Sequence, residues 1–320
     1  MLTYISIFVL SCLILIVSGN WLIKSLDDIA HFFGLKKFTV AFLLMSLATA
    51  SPEMFIGISS AIRGVPELSL GNILGQNIIH FTVAVFLCVL IKGSFSVRNK
   101  TTRISAMFSG FMALFPLILI LDGTLSRSDG VTLILLFCAY SFWMIKKSHR
   151  YDEPLELVHN PGPKMIWDRF KTFVFAIKNF AIGILLLIIA SKGIVKSAIF
   201  FASELNIPLV IIGVLIVGLG TALPEVFFSA FSARNSNSEL MAGNLLGSTV
   251  VSTSLVLGVV SIISPITNIT LFSYFIGRLA LFVSVFLFIY FMFSEKKVSW
   301  KESLVLLSVY VAFITLEIFF

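Results

Sequence analysis

The chain repeats part of its own sequence at a constant offset of 172 residues, the separation between Glu53 and Glu225. The match needs no gap and runs through two neighbouring apolar stretches. Chance identity between apolar stretches falls on Leu or Ile, whereas the shared residues here are mostly Thr, Pro, Glu, Gly, Asn and Ser. They are Thr49, Ala50, Pro52, Glu53, Phe55, Ser60, Ala61, Glu67, Leu68, Gly71, Asn72, Leu74 and Gly75, which recur as Thr221, Ala222, Pro224, Glu225, Phe227, Ser232, Ala233, Glu239, Leu240, Gly243, Asn244, Leu246 and Gly247. The pattern indicates a duplication, so the fold must accommodate two similar halves.

The composition places both halves in lipid. Hydrophobic residues make up 58% of the chain and charged residues 12%, with a mean hydropathy of +1.05, whereas soluble domains carry about 25% charged residues. Many apolar stretches are long enough to cross about 30 Å of hydrocarbon. They lie roughly at residues 3–25, 38–62, 68–91, 104–122, 130–146, 172–202, 208–233, 239–264, 270–293 and 302–319. The predicted fold is an all-α membrane protein with ten transmembrane helices.

One long polar connection divides these segments into two sets of five. The predicted organisation is a first five-helix repeat at residues 1–146, a linker at 147–171 and a second five-helix repeat at 172–320. Because five is odd, the second repeat must enter the membrane upside down relative to the first.

The basic residues test this inversion independently. Lys92, Arg98, Lys100 and Arg103 lie between the third and fourth segments, and Lys296, Lys297 and Lys301 lie between the ninth and tenth. The equivalent connections have no Lys or Arg in one case and only Arg127 in the other. Since basic connections stay in the cytoplasm, equivalent connections face opposite sides. The linker is then cytoplasmic, both termini are extracytoplasmic, and the short loops suggest a prokaryotic plasma (inner) membrane.

An acid directly follows a proline in the second segment of each half, at Glu53 and Glu225. Proline lacks an N–H and clashes with the carbonyl four residues earlier. The helices are therefore expected to break near Ala48 and Gly220, leaving carbonyls without intrahelical donors. An ionisable residue in mid-membrane is costly and indicates metal or proton binding.

Thr49 and Thr221 stand four residues before these glutamates, on the same helical face. Carboxylates and freed carbonyls are the hard oxygen ligands that Ca²⁺ prefers. The predicted cation site therefore contains Glu53, Glu225, Thr49 and Thr221. Polar or small residues extend this face, and a second polar stripe runs along the third segment of each half. The first set is Ser46, Gly57, Ser60, Gly218, Ser229 and Ser232, and the second is Asn72, Gln76, His80, Asn244, Ser248 and Ser252.

Six of these positions are candidates for binding a counter-ion: Ser46, Gln76, His80, Gly218, Ser248 and Ser252. Ser60 and Ser232 are as readily explained by hydrogen bonds to their own helices. His80 has two open interpretations, a ligand or proton carrier and a packing residue with satisfied hydrogen bonds.

The paired T-x-x-P-E elements at 49–53 and 221–225, each followed by G-N-x-x-G at 71–75 and 243–247, resemble the repeats of the cation/Ca²⁺ exchanger superfamily. The nearest branch is that of the small prokaryotic sodium/calcium exchangers. The resemblance implies an antiporter in which Glu53 and Glu225 ligate Ca²⁺ together with the backbone carbonyls of Thr49 and Thr221. It also implies alternating access by sliding of the first and sixth helices.

The sequence departs from that family at several sodium-ligand positions, namely Ala50, Ala222, Gln76, His80 and Ser252, whereas Ser248 is kept. Divalent-ion binding is therefore better supported than a three-sodium stoichiometry. The function expected is exchange of Ca²⁺ for Na⁺. The alternative is exchange of a divalent ion for H⁺, with His80 and the glutamates titrating.

Other function classes fit the sequence less well. A passive cation channel could use the same glutamates, but inverted repeats with broken helices favour alternating access. An enzyme is not expected, because the four His are scattered and neither H-E-x-x-H nor G-x-S-x-G occurs. The expected partners are the bilayer and the transported cations, with no cofactor, no nucleic acid and no obligate protein partner.

Overall fold

The computed structural model describes residues 1–33, 46–96, 100–148, 163–234, 238–267, 269, 274–294 and 297–319. These residues are almost entirely helical, as predicted. The helices are α1 Leu2–Phe33, α2 Ser46–Thr49, α3 Ser51–Ile62, α4 Glu67–Ile79, α5 Val85–Lys92, α6 Lys100–Leu119, α7 Arg127–Ser148, α8 Pro163–Leu205, α9 Leu209–Ile212, α10 Gly218–Arg234, α11 Ser238–Val250, α12 Leu257–Ile263, α13 Phe275–Ser294 and α14 Trp300–Phe319. Two short strands, β1 Phe95–Ser96 and β2 Lys297–Val298, lie in connections between helices.

Eight stretches among the described residues are long and apolar enough to cross a membrane. Large apolar side chains stay exposed on their surfaces, for example Phe142 and Phe227, as expected where lipid replaces water. Two predicted segments are not among the eight. The segment at 38–62 lies partly outside the described residues, and the segment at 302–319 forms most of α14.

Two helices are longer than the apolar pattern predicts. The pattern ends the first near residue 25 and begins the sixth near 172, whereas α1 extends to Phe33 and α8 begins at Pro163. Hydropathy detects only the apolar part of a helix, and proline is well suited to the first helical position. The first turns of α8 therefore occupy residues 163–171 of the predicted linker, while residues 149–162 lie outside the described part.

Helices α1 and α8 pack along one another. Near one end, the rings of Tyr4 and Phe200 stack with centroids 3.9 Å apart. Further along, a Cβ at Gly193 would collide with the hydroxyl of Ser11. The buried apolar residues of this pair, such as Leu15 and Leu187, belong to a cluster separate from the main core of the bundle.

Glycines allow α4 to contact the backbone of the second half directly. The carbonyl oxygens of Val210 and Val214 occupy the positions that side chains at Gly71 and Gly75 would take. Any Cβ here would force the two backbones apart. Through this contact the polar stripe of α4 lies next to the beginning of α10.

A π-helical turn interrupts the third segment of each half where its polar stripe ends. The turns comprise His80–Ala84 and Val251–Val256, and they lie at equivalent positions of the repeat. Such turns are frequent at functional sites, because they change the direction of neighbouring side chains and release backbone groups. The repeated residues therefore share a local backbone as well as a sequence.

The connections between helices pair across the two halves. Strand β1, between the third and fourth segments, pairs antiparallel with β2, between the ninth and tenth, with Phe95 opposite Val298. At a different pair of connections, Leu125 forms an isolated bridge with Ile266. In both cases the third-to-fourth connection of one half thus pairs with the fourth-to-fifth connection of the other half.

Candidate cation site

Glu53 and Glu225 are both fully buried, at 0% exposure, in the interior of the bundle. Glu53 lies in the first turn of α3, directly after Pro52, and Glu225 follows Pro224 in the middle of α10. The two carboxyl groups are close enough to interact electrostatically. Two ionised carboxylates this deep in the bundle are costly unless a positive charge neutralises them.

The amide of Gln76 connects the two glutamates. Its Nε2 donates to Oε1 of Glu53 at 2.7 Å and lies 3.5 Å from Oε1 of Glu225. Carboxylate oxygens need donors, so the NH₂ end of the amide must face them. The three side chains therefore form one polar centre that contains residues of both halves.

Three oxygens of this centre have no donor among the described residues: Oε2 of Glu53, Oε2 of Glu225 and Oε1 of Gln76. All three are acceptors, and all are buried. A buried acceptor without a donor lowers the stability of the folded protein by about 1–3 kcal/mol. Oxygens of this kind are suited to binding a hard cation.

Each threonine of the predicted site bonds to an asparagine of the opposite half. Oγ1 of Thr49 donates to Oδ1 of Asn244 at 3.2 Å, and Oγ1 of Thr221 donates to Oδ1 of Asn72 at 2.8 Å. Thr221 also lies close to the carboxyl group of Glu53, and Thr49 to that of Glu225. The four side chains are fully buried. They form a symmetric pair of cross-links, which joins α2 to α11 and α10 to α4.

The helix is interrupted before Glu53, as predicted. Ala50 separates α2 from α3; its N–H bonds to Ser46 and its carbonyl accepts from Met54. Ser51 donates its hydroxyl to the Ala48 carbonyl, which Pro52 cannot serve. Within this described segment, no backbone N–H donates to the Thr49 carbonyl across the interruption. That oxygen therefore remains available beside Glu53.

The predicted break near Gly220 is wrong, because α10 continues from Gly218 to Arg234 with Pro224 inside it. Proline removes a single N–H, and the hydrogen bonds on either side can maintain the helix. The residue equivalent to Ser51 is Leu223, which has no hydroxyl to bond to the freed carbonyl. The two halves of the site therefore differ in backbone although their sequences match.

The remaining predicted positions differ in the hydrogen bonds they make. The carbonyl oxygens of Ser46 and Gly218 each lie 3.3 Å from the hydroxyl oxygen of the site threonine three residues later, whose hydrogen is shared with the asparagine. The hydroxyls of Ser248 and Ser252 are buried and donate to their own helix, at Leu245 and Thr249. A hydroxyl that donates in this way keeps lone pairs that can accept.

His80 contacts a threonine and an apolar cavity. Its Nδ1 lies 3.2 Å from Oγ1 of Thr249, and its ring lines a small apolar cavity with Phe95 and Phe288. Its Nε2 is buried and has no partner among the described residues. His80 is therefore a neighbour of the polar centre rather than a member of it.

Asn72 and Asn244 lie on the predicted polar stripes but are not members of the predicted site. Asn244 also donates to Ser229 at 3.2 Å. In the first half the residue equivalent to Ser229 is Gly57, which has no side chain to accept, and Nδ2 of Asn72 has no acceptor among the described residues. Repetition of both asparagines in the G-N-x-x-G elements was the signal that could have found them. What the repeat could not show is that each asparagine bonds to the threonine of the other half.

Within the described ranges, no group of three or more His, Cys, Asp and Glu residues is arranged to hold a metal. A cation bound here would therefore have two carboxylates and otherwise neutral oxygens. That donor set suits Ca²⁺ better than Zn²⁺ or Cu²⁺, which prefer nitrogen and sulfur.

Known proteins match nearly the whole length of this chain. The model of the family described as sodium/calcium exchanger protein matches residues 3–146 and 175–319. An uncharacterized membrane protein of Methanocaldococcus jannaschii is 24% identical, over 95% of this chain and 94% of that protein. The sodium/calcium exchanger MaX1 of Methanosarcina acetivorans is 24% identical over 96% of each chain.

The fold is also similar to a solved structure. The sodium-calcium exchanger NCX_Mj, soaked with 2.5 mM Na⁺ and 10 mM Sr²⁺, superposes with a TM-score of 0.68. The identity is 23%, and the superposition covers 98% of each chain. The arrangement of the described helices is therefore that of a known exchanger fold.

Proposed function

Because the chain belongs to the sodium/calcium exchanger protein family, we propose that it is a secondary-active antiporter that exchanges Ca²⁺ for Na⁺ across the membrane by alternating access. The observation that carries the proposal is the polar centre of Glu53, Glu225 and Gln76. It presents two buried carboxylates with oxygens that have no donor among the described residues. A relative named as a sodium/calcium exchanger supports the same function.

Ca²⁺ in this proposal is the transported substrate, bound by Glu53 and Glu225 with the backbone carbonyls of Thr49 and Thr221. The Thr49 carbonyl is free at the interruption, whereas the Thr221 carbonyl lies within continuous α10 and would use its second lone pair. The two carboxylates balance the charge of one divalent ion, so the loaded site is neutral. The Thr–Asn cross-links hold both threonines in place while the site fills. Neutrality in the loaded state favours movement of the ion through a low-dielectric interior.

Gln76 must change its orientation when a cation enters. With no cation between the carboxylates, its NH₂ group donates to Glu53 and approaches Glu225. A cation would repel those N–H groups, whereas the buried Oε1 of the same amide would attract it. Rotation of the amide therefore turns its NH₂ group away from the cation and brings Oε1 towards it as a ligand. The helix that carries Gln76 does not need to move.

The membrane arrangement we propose is ten crossings in two inverted five-helix repeats. Pairing of β1 with β2 supports it, because an inverted repeat brings the third-to-fourth connection of one half to the same end as the fourth-to-fifth connection of the other. The Leu125–Ile266 bridge supports the same arrangement at the opposite end. Of the basic residues predicted to be cytoplasmic, Lys92, Lys297 and Lys301 lie at the end that contains β1 and β2.

Labelling on intact cells tests this topology. In a variant without the native Cys12, Cys88 and Cys138, we expect Thr267→Cys to react with a membrane-impermeant maleimide from outside. We expect Lys301→Cys to react only after permeabilisation, because it lies at the β2 end. Labelling of both positions from the same side would contradict the inverted arrangement.

Alternating access in this proposal uses α1 and α8 as the moving pair. They pack on one another through their own apolar cluster. That cluster also includes Ile56, in the helix of Glu53, and Val217, directly before the helix of Glu225. Movement of the pair across these residues would expose the polar centre to one side and then to the other. The remaining helices share the larger core and would stay fixed.

Exchange for protons is the alternative, and one observation favours it. His80 is buried beside Thr249 and has a ring nitrogen without a partner among the described residues. A free imidazole exchanges a proton near neutral pH, and burial disfavours its charged form, so His80 could take part only in a state of the cycle that exposes it to water. The buried serine hydroxyls at positions 248 and 252 are instead the neutral oxygens that could serve Na⁺ in the sodium version.

Calcium uptake into proteoliposomes distinguishes the two versions. We expect an outward Na⁺ gradient at constant pH to drive uptake of radioactive Ca²⁺, and an outward proton gradient without Na⁺ to fail. Uptake driven only by the proton gradient would replace sodium exchange with the alternative. Calcium flux that needs no counter-ion would contradict exchange altogether and indicate a channel.

A further inference from the structure

A groove on the lipid-facing side of α13, next to α6, has no role in the proposed exchange. Its volume is about 570 Å³. The lining residues are Leu114 from α6 and Phe282, Val285, Phe286, Ile289, Tyr290, Phe293 and Ser294 from α13. Gly110 allows the two helices to approach, because a larger residue there would collide with Ile289. The groove is mainly aliphatic and aromatic, so its occupant must offer an apolar chain.

A positive charge stands at one end of this groove. The guanidinium carbon of Arg103 lies 4.8 Å above the ring of Phe293, which lines the groove. Nε of Arg103 is buried and has no hydrogen-bond partner in the described part of the chain. A guanidinium stacked on an aromatic ring keeps its edge free for a phosphate or carboxylate. The polar groups of Tyr290 and Ser294 belong to the same end of α13.

The depth of this end matches the headgroup region of a bilayer. Arg103 is at the beginning of the span Thr102–Asp122, and Ser294 is the last residue of the span Phe275–Ser294. From Arg103 to Leu114 the helix rises about 16 Å. One leaflet contributes about 15 Å of hydrocarbon. A single acyl chain in the groove would therefore place its headgroup next to Arg103.

We propose that this groove is a binding site for one anionic phospholipid, with the phosphate at Arg103 and an acyl chain along α13. The predicted topology places the site in the cytoplasmic leaflet, where basic pockets between helices attract anionic headgroups. A zwitterionic lipid fills the same groove but brings a second positive charge towards Arg103. The preference for an anionic headgroup thus comes from the arginine, and the affinity from the groove.

Native mass spectrometry of the purified full-length protein tests the site with phosphatidylglycerol and phosphatidylcholine of matched chains. We expect the protein to retain phosphatidylglycerol on the order of tenfold better, and Arg103→Gln to remove that preference. Arg127→Gln is the matched control, because Arg127 is exposed at the other end of the bundle in the proposed topology. Equal retention of both lipids by the unmodified protein, or an unchanged preference in Arg103→Gln, would overturn the proposal.

The acyl chain has its own test. Leu114→Trp fills the groove without changing any charge, so phosphatidylglycerol retention should fall although Arg103 is intact. Soluble glycerol phosphate at millimolar concentration should not compete, because it has no chain for the groove. Competition by glycerol phosphate would show that Arg103 binds a phosphate alone and would overturn the lipid assignment. Calcium uptake by the same variants reports folding and is expected to persist.

Discussion

Glu53→Gln is expected to abolish calcium uptake. One of the two carboxylates that balance the divalent charge is lost, while the buried surroundings stay the same. Removing one partner of a buried charge pair costs about 2–5 kcal/mol, which corresponds to a loss of calcium affinity, and with it of uptake, of roughly 30- to 5,000-fold. Glu225→Gln should have a similar effect, because the other buried carboxylate then faces the ion alone.

A folding measurement separates this effect from misfolding. A ligand that binds only the folded protein raises its melting temperature. Calcium should therefore stabilise the unmodified protein but not Glu53→Gln, whereas without calcium the variant should be at least as stable, because the repulsion between the two carboxylates is gone. Glu67→Gln is the control, since Glu67 is also repeated in the second half but is only half-buried. Uptake in both glutamate variants near the unmodified rate would contradict the proposed site.

The sequence predicted both buried glutamates because the duplication carried them. An acid in mid-membrane is rare, and its repetition at a constant offset made Glu53 and Glu225 the prominent candidates. That the two glutamates lie close to one another depends on the tertiary structure. An inverted repeat with equivalent helices nevertheless makes this proximity expected. The prediction of predominantly helical structure followed from the same apolar segments.

The sequence did not predict the bonds around the glutamates. Thr49 pairs with Asn244 of the opposite half, and no local pattern determines which helix a buried amide meets. The broken helix before Glu53 depends on a hydroxyl at Ser51, so the proline rule succeeded in one half and failed in the other. His80 shares the stripe of Gln76 by spacing, yet the π-helical turn that begins at His80 and its bond to Thr249 direct it elsewhere.

Gln76→Glu is expected to make calcium affinity strongly dependent on pH. The substitution keeps the shape of the side chain but replaces an amide donor with a carboxyl group. When the introduced carboxyl group is protonated it can donate to Glu53 as the amide does, so calcium binding at low pH should be close to normal. When it is ionised, a third negative charge should tighten apparent calcium affinity on the order of tenfold or more and slow release.

The repeat supplies the control for this variant. Ser248 is the equivalent residue of the second half, and its hydroxyl donates to the carbonyl of Leu245 rather than to a glutamate. Ser248→Ala adds and removes no titratable group, so the pH profile of its calcium uptake, scaled to its own maximum, should match that of the unmodified protein even if the rate changes. If uptake by Gln76→Glu follows the same pH profile as the unmodified protein, the amide does not face the carboxylates during transport. A steep profile in Gln76→Glu alone would instead assign the contact between Gln76 and the glutamates to the transport cycle itself.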